Sequence, residues 1–421
     1  KYARLKLIHY LLRAPVRQGG CALKLSKLLF KKRLLAYFPI HDRFVTAQIK
    51  ERVMKCDCYP WSFPFNDFRA YFGERITLFQ VFLGHYSHWL IWPSLIGFVF
   101  QFVVWGTGDY SHPVLPFYAL VITVWCIFML ENWKREEKLT AMRWGMTKFE
   151  TNEPDRPEFH GELITSYVDG GVMTYFPSDE STRRLCSSQT VIGCFISLVL
   201  GVVASIYVLR FSLQNNIGTN ASTVASILNT VQITIFNYIY QKVAIHLTNN
   251  ENHRTDTQYE DSMIIKLFIF QFVNSYASFF FLAFIASNLQ NSDDDNDDNS
   301  GQCGASNCME PLAINLAIIF GTRLIVKNLT DIFLPWYAAA SKRKTELKGV
   351  ATDKLLTPAE EDYVLINYDP MIENIGNYAD AAIQFGFAVL FVTALPIASF
   401  LSLVSNYVKA KVIGWKLCAV S

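Results

Sequence analysis

The sequence predicts an all-α chain, a polytopic bundle of membrane-spanning helices. Three observations predict it. Hydrophobic residues fill 51% of the 421 positions and charged residues only 18%, against about a quarter charged in a soluble domain. The apolar excess gathers into long uncharged runs, the mark of a helix that crosses a bilayer. Basic residues crowd some of the connecting loops and are missing from others, as happens when loops alternate between the two sides of a membrane.

The elements follow in order. Residues 1–72 are basic and amphipathic, with Lys31-Lys32-Arg33 after an apolar stretch. They read as the end of a cytoplasmic N-terminal domain. The transmembrane domain is assigned to residues 73–412 and a short cytoplasmic end to 413–421. The first uncharged run is Thr77 to Trp105 and the second is Pro113 to Leu130. Thr190 to Leu209, Ala221 to Gln241 and Leu267 to Ala286 are the third, fourth and fifth. The sixth begins at Pro311 and continues through Arg323, Lys327 and Asp331 to Pro335. The last run, Ala381 to Val408, contains Pro396 and reads either as one over-long helix or as two spans.

Charge separates those two readings. The loops at 214–220 and 287–310 carry no Lys or Arg, whereas the segment after the sixth span holds Lys342-Arg343-Lys344, Lys348 and Lys354. Dividing the last run at Pro396 returns Lys409, Lys411 and Lys416 to the basic side, giving eight spans with both ends cytoplasmic. Asn220-Ala221-Ser222 is then an external glycosylation sequon, close to the membrane. Cys303 and Cys308 share an external acidic loop where a disulfide is chemically permitted. Cys56 and Cys58 have no second ligand pair at zinc spacing and read as free thiols.

Ionisable and amide groups inside a bilayer are costly and usually face protein or a wet path. Three sets occur here. Arg323, Lys327 and Asp331 repeat at i, i+4, i+8 on the sixth span, as an internal ion pair, snorkelling bases or a functional face. Glu373, Asn377 and Asp380 repeat at i, i+4, i+7 before the seventh. These are oxygen donors of the kind calcium takes, or an acidic first helical turn suited to the dipole. Thr230, Thr234, Asn237 and Gln241 make a polar stripe along the fourth span, and Asn274, Ser275 and Ser278 add polarity to the fifth. Such a stripe either glues helices together or lines a hydrated path. There is no Walker loop, G-x-G-x-x-G, G-x-S-x-G or H-E-x-x-H, so nothing points to an enzyme.

Several motifs together resemble the anoctamin family of anion channels and phospholipid scramblases. Tyr71-Phe72-Gly73-Glu74-Arg75-Ile76 leads into the first span and Glu131-Asn132-Trp133-Lys134-Arg135 closes the second. Arg156-Pro157-Glu158-Phe159 and Tyr175-Phe176-Pro177 follow in the next loop. Tyr259-Glu260-Asp261-Ser262, Phe270-Gln271-Phe272-Val273-Asn274-Ser275-Tyr276, Glu360-Glu361-Asp362-Tyr363 and Ile383-Gln384-Phe385-Gly386-Phe387 appear in family order. Ile8-His9-Tyr10-Leu11-Leu12 and Phe38-Pro39-Ile40-His41-Asp42 are similar to the end of the family's cytoplasmic domain.

The resemblance implies a ten-span homodimer, so eight spans mark a piece or a shortened member. It implies membrane lipids and chloride or other anions as what the protein handles, with no nucleic acid. The path would run along spans three to seven, lined by Thr230, Thr234, Asn237, Gln241, Asn274, Arg323 and Lys327. Calcium is the ion that gates such proteins, bound between spans six, seven and eight. Asp331, Asn377 and Asp380 fall at that site, but Lys327 stands where an amide is usual, and Lys409 and Ile413 stand where span eight supplies acids. Lysine in place of carboxylate opposes a divalent cation, so the expectation is that Lys327 or Lys409 substitutes for it as a tethered cation. The functional expectation is a passive anion channel, scramblase or both, in the plasma membrane or endoplasmic reticulum. A non-transporting tether or scaffold is the alternative.

Overall fold

The computed structural model describes residues 2–34, 37–38, 40–146, 153, 155–165, 170–217, 220–285, 309–347 and 357–419. Cys303, Cys308 and the acidic run at 293–298 lie outside the described residues. Helices dominate them. The first four are α1 (Tyr2–Arg13), α2 (Leu25–Phe30), α3 (Arg43–Met54) and α4 (Phe65–Phe72). The long helices α5 (Glu74–Thr107) and α6 (Leu115–Arg143) follow. After a hairpin come α7 (Ser178–Ile217), α8 (Asn220–Asn250) and α9 (Asp256–Phe280). The last five are α10 (Met309–Thr322), α11 (Asn328–Glu346), α12 (Pro358–Tyr363), α13 (Pro370–Leu390) and α14 (Ala398–Ala419). Asn220 opens α8, with its side chain outside what is described.

One detail differs from the all-α expectation. Residues 162–165 and 172–175 form an antiparallel hairpin, β1 and β2, with Glu162 opposite Tyr175 and Thr165 opposite Val172. Its Ile, Thr, Val and Tyr content favours strand, and the runs are too short for a helix of any stability. The helix carrying residue 412 runs unbroken to Ala419.

Among the described residues, four helices are long and apolar enough to cross a membrane: Leu115–Arg143, Ser178–Arg210, Asp256–Ile285 and Met309–Glu346. A fifth is the pair Glu74–Trp89 and Ile91–Thr107 if these form one span bent by 43°. The bend falls at Leu90, three residues before Pro93, whose ring displaces the carbonyl of the preceding turn. The helices α8, α13 and α14 are not among the four. The last apolar run is two helices, α13 and α14, parted by a turn around Pro396.

The exposed faces of these helices are apolar. Trp92, Phe117, Ile127, Phe128, Leu198 and Val208 all stand open at the surface. A face of that size and composition is unsuited to water and suited to acyl chains. The chain is an integral membrane protein on this ground.

Inside, the main core joins α7, α8, α9, α10 and α13 through Tyr240, Phe270, Tyr276, Phe279, Leu316 and Phe387. In lipid, close packing and hydrogen bonds hold helices together, since lipid tails are as apolar as the core. The Tyr276 hydroxyl donates to the Ile383 carbonyl at 2.7 Å. This approach needs Gly386, where an added Cβ would lie 2.0 Å from that hydroxyl oxygen. A second core docks α3 and α4 onto α5 and α14 through Ile49, Val53, Phe68, Phe79, Ile413 and Leu417.

Candidate functional site

The site is built from four walls. Helix α13 starts at a defined point because the Asp369 carboxylate accepts from the Met371 and Ile372 amides at 2.9 and 3.3 Å, with Pro370 at the first helical position. That start puts Glu373, Asn377 and Asp380 on one face. Opposite, α10 passes into a π-helical stretch, Arg323–Lys327, before α11. A π turn widens the helix and re-aims the side chains that follow, and such insertions recur at functional sites. Helix α8 supplies the polar stripe, and α14 closes the inner end.

Between these walls lies a cavity of about 510 Å3. Thr230, Thr234, Asn237 and Gln241 line it, together with Lys327, Asp331, Glu373, Asn377 and Asp380. Two groups that the sequence presented separately, the stripe and the inner acids, therefore share one space. Lys409 is set beside it rather than in it, and the side chain of Arg323 is outside what is described.

The stripe is less free than its composition suggests. The Thr230 and Thr234 hydroxyls donate back to the Ser226 and Thr230 carbonyls at 2.8 and 2.9 Å. Asn274 does not reach the cavity. It is fully buried in the α8–α9 seam, where its amide donates to the Asn237 Oδ1 at 2.8 Å and the Ile233 carbonyl at 3.1 Å. Its own Oδ1 accepts from Gln232 at 2.8 Å. A fully satisfied buried amide joining two helices is a packing clamp. Ser275 and Ser278 are also buried, and Ser278 bonds the Tyr207 hydroxyl of α7 at 2.6 Å.

The inner end is dominated by paired charge. Lys327 on the π stretch binds Asp380 across the cavity, not Asp331 one turn further along its own helix. The Lys409 ammonium lies 3.8 Å from the same Asp380 oxygen. It also donates to the Asn377 carbonyl at 3.2 Å and sits 5.4 Å from the centre of the Phe79 ring. Lys416, one further turn pair along α14, donates to Glu373 at 2.8 Å and lies 5.6 Å from the Tyr368 ring. Asp331 is within electrostatic reach of Lys327, Lys409 and Lys416.

Sequence reasoning used Lys416 only to orient the membrane. Its separation of seven residues from Lys409 puts both on one face of a helix, and that spacing was the available signal. Gln271, Tyr238 and Tyr368, which also line the cavity, had no such pattern.

A model of the anoctamin family, described as calcium-activated chloride channel, matches residues 68–421. This chain belongs to the anoctamin family. It is 26% identical to anoctamin-7 of Homo sapiens over 92% of this chain and 50% of that protein. It is 26% identical to anoctamin-5 of Mus musculus, over 98% of this chain and 55% of the relative. Against anoctamin-10 of Homo sapiens it is 27% identical, with 94% and 58% covered. The chain spans about half the length of the curated relatives it matches.

The family description makes calcium the ion to test against this site. Calcium takes about six to eight oxygen ligands in a largely acidic shell. Here Asp380 already holds one ammonium and has a second close by, and Glu373 holds a third. Among the described residues, no group of three or more His, Cys, Asp and Glu is arranged to hold a metal ion. The donor set does not fit the ion.

Proposed function

We propose that this anoctamin is a passive conduit for anions, phospholipid headgroups or both, along the cavity bounded by α8, α10–α11, α13 and α14. The observation that carries the reading is the coincidence of the α8 polar stripe and the Lys327–Asp380 cluster in one cavity of about 510 Å3, on helices whose outer faces are apolar. A hydrated polar face flanked by lipid-facing surface lets a charged group cross while apolar tails stay in the bilayer. Ammonium groups at the inner end offset the carboxylates there, so the path does not repel chloride or lipid phosphate. The same reading carries eight spans with both ends cytoplasmic, supported by the separation of α13 from α14, and a homodimeric assembly.

The test is reconstitution in liposomes containing anionic lipid, with chloride efflux and fluorescent-lipid scrambling followed together. Transport is expected, and Gln241→Leu, which puts an apolar side chain into the path, lowers it severalfold. Absence of both activities, with and without calcium, ends this reading and leaves the non-transporting tether. Efflux without scrambling assigns the channel activity alone.

A further inference from the structure

The inner end of the cavity brings three carboxylates, Asp331, Glu373 and Asp380, against three ammonium groups, Lys327, Lys409 and Lys416. We infer that these lysines permanently replace a divalent cation, so that the chain itself neutralises its acidic cluster and calcium has no saturable site there.

The placement of the lysines carries the argument. Lys327 and Lys409 come from different helices and converge on one oxygen of Asp380. Chance pairing at a solvated surface gives one flexible partner per acid, held loosely. Here Lys409 is only 14% exposed and is fixed from three sides, by Asp380, the Asn377 carbonyl and the Phe79 ring. An ammonium on a four-carbon stem brings one positive charge and three donors to a fixed place. Two of them on Asp380 supply the same formal charge as one divalent ion. Lys416 then neutralises Glu373, which no other ammonium reaches among the described contacts.

Charge balance has a consequence for what passes. Three bare carboxylates at the end of a low-dielectric path would repel an anion strongly, and a bound cation would lift that repulsion only when present. With the cation built into the chain, the repulsion is absent at every calcium concentration. A calcium ion entering the cluster would meet two ammonium groups on its best ligand and would have to displace both. This inference concerns binding and stands apart from whether the cavity transports anything.

The experiment is calcium binding to the purified protein in detergent, by equilibrium radiocalcium binding with thermal unfolding as a second readout. The wild-type protein is expected to show no saturable binding and no calcium-dependent shift up to about 1 mM, the weak end of protein calcium sites. Lys327→Asn together with Lys409→Glu removes both ammonium groups and adds a carboxylate. That variant is expected to gain saturable binding at least tenfold tighter than anything in the wild type, and adding Asp380→Asn abolishes the gain. Wild-type binding that is lost in Asp380→Asn overturns the inference. A folded double variant that binds no better than wild type overturns it as well. Should the double variant fail to fold, the wild-type titration with and without Asp380→Asn still decides.

Discussion

Replacing Lys266 by Met should destabilise the protein more than any other single change outside the cavity. Lys266 on α9 and Glu251 in the turn after α8 are each about 2% exposed, and the ammonium donates to the carboxylate at 2.7 Å. Ser262 donates to the same oxygen at 2.7 Å, and His253 lies 2.8 Å from it. Met fills most of the space left by the lysine stem but leaves a buried carboxylate without its counter-charge. Removing one partner of a buried pair typically costs about 3–5 kcal/mol. The remaining polar neighbours, His253, Ser262 and Ser188, keep part of the solvation, which sets the expectation at about 3 kcal/mol, the low end of that range. Adding Glu251→Gln removes the stranded charge and retains an acceptor for Ser262, so the double variant should recover at least half of the loss. The assay is the unfolding midpoint in detergent for wild type, both single variants and the double variant, read as a cycle. A single variant as stable as wild type, or a double variant no better than Lys266→Met, refutes the argument that the pair is a mutual charge lock.

Three further expectations follow from the same geometry. Burial alone would raise the Glu251 carboxyl, but hydrogen bonds from His253, Lys266, Ser188 and Ser262 outweigh it and hold it at about 2. A depressed folded-state value means stability present above the unfolded value of 4.5 and lost as pH falls toward 2, so acid unfolding of wild type but not of Glu251→Gln should steepen in that window. Gly386→Ala drives a methyl into the Tyr276 hydroxyl and should cost about 1–3 kcal/mol, with Tyr276→Phe in the same chain restoring most of it; equal midpoints for Gly386→Ala and wild type would show that the α9–α13 seam has slack. Asn274→Leu strands Gln232 and Asn237 as well as losing its own bonds, and should lower the unfolding midpoint by more than Thr234→Val, whose hydroxyl only bonds its own helix.

The sequence made the helices legible and the seam between them illegible, for a physical reason. A bilayer requires long apolar runs and satisfied backbones, and both show in composition and length. The break at Pro396 was readable because a positive-side bias demanded it and proline permits it. The polar stripe was readable as a periodicity, yet Asn274 and Asn237 look alike in sequence. One clamps α8 to α9 and the other faces the cavity, and only the rotation of α9 against α8 decides which. Pairing stayed open for the same reason. The spacing of Lys327 and Asp331 allowed a bond within one helix among other readings, whereas the π stretch and the capped start of α13 bring Lys327 to Asp380. Partners fifty or more residues apart leave no trace in local spacing.

The role of Lys327 extends beyond charge. Helix α11 has no buried residue, while α13 and α14 are packed along most of their length. A helix without a buried face is held by its ends and its polar contacts. At the C-terminal end of α11, Lys342 donates to the Tyr363 and Leu365 carbonyls at 2.8 and 2.6 Å. At the other end, Lys327 joins the π stretch to Asp380 on α13. The wall of the cavity with the least packing is thus fastened by two lysines, and one of them belongs to the neutralised cluster. Replacing Lys327 therefore changes two things at once, the charge at the inner end and the tether of α11. Lys409 sits on packed α14, so replacing it removes charge and the contacts to Asn377 and Phe79 but leaves the tether of α11 in place. Comparing Lys327→Gln with Lys409→Gln separates the two effects. Loss of charge weakens both variants alike, whereas loss of the tether raises amide exchange along α11 in the first and leaves it unchanged in the second.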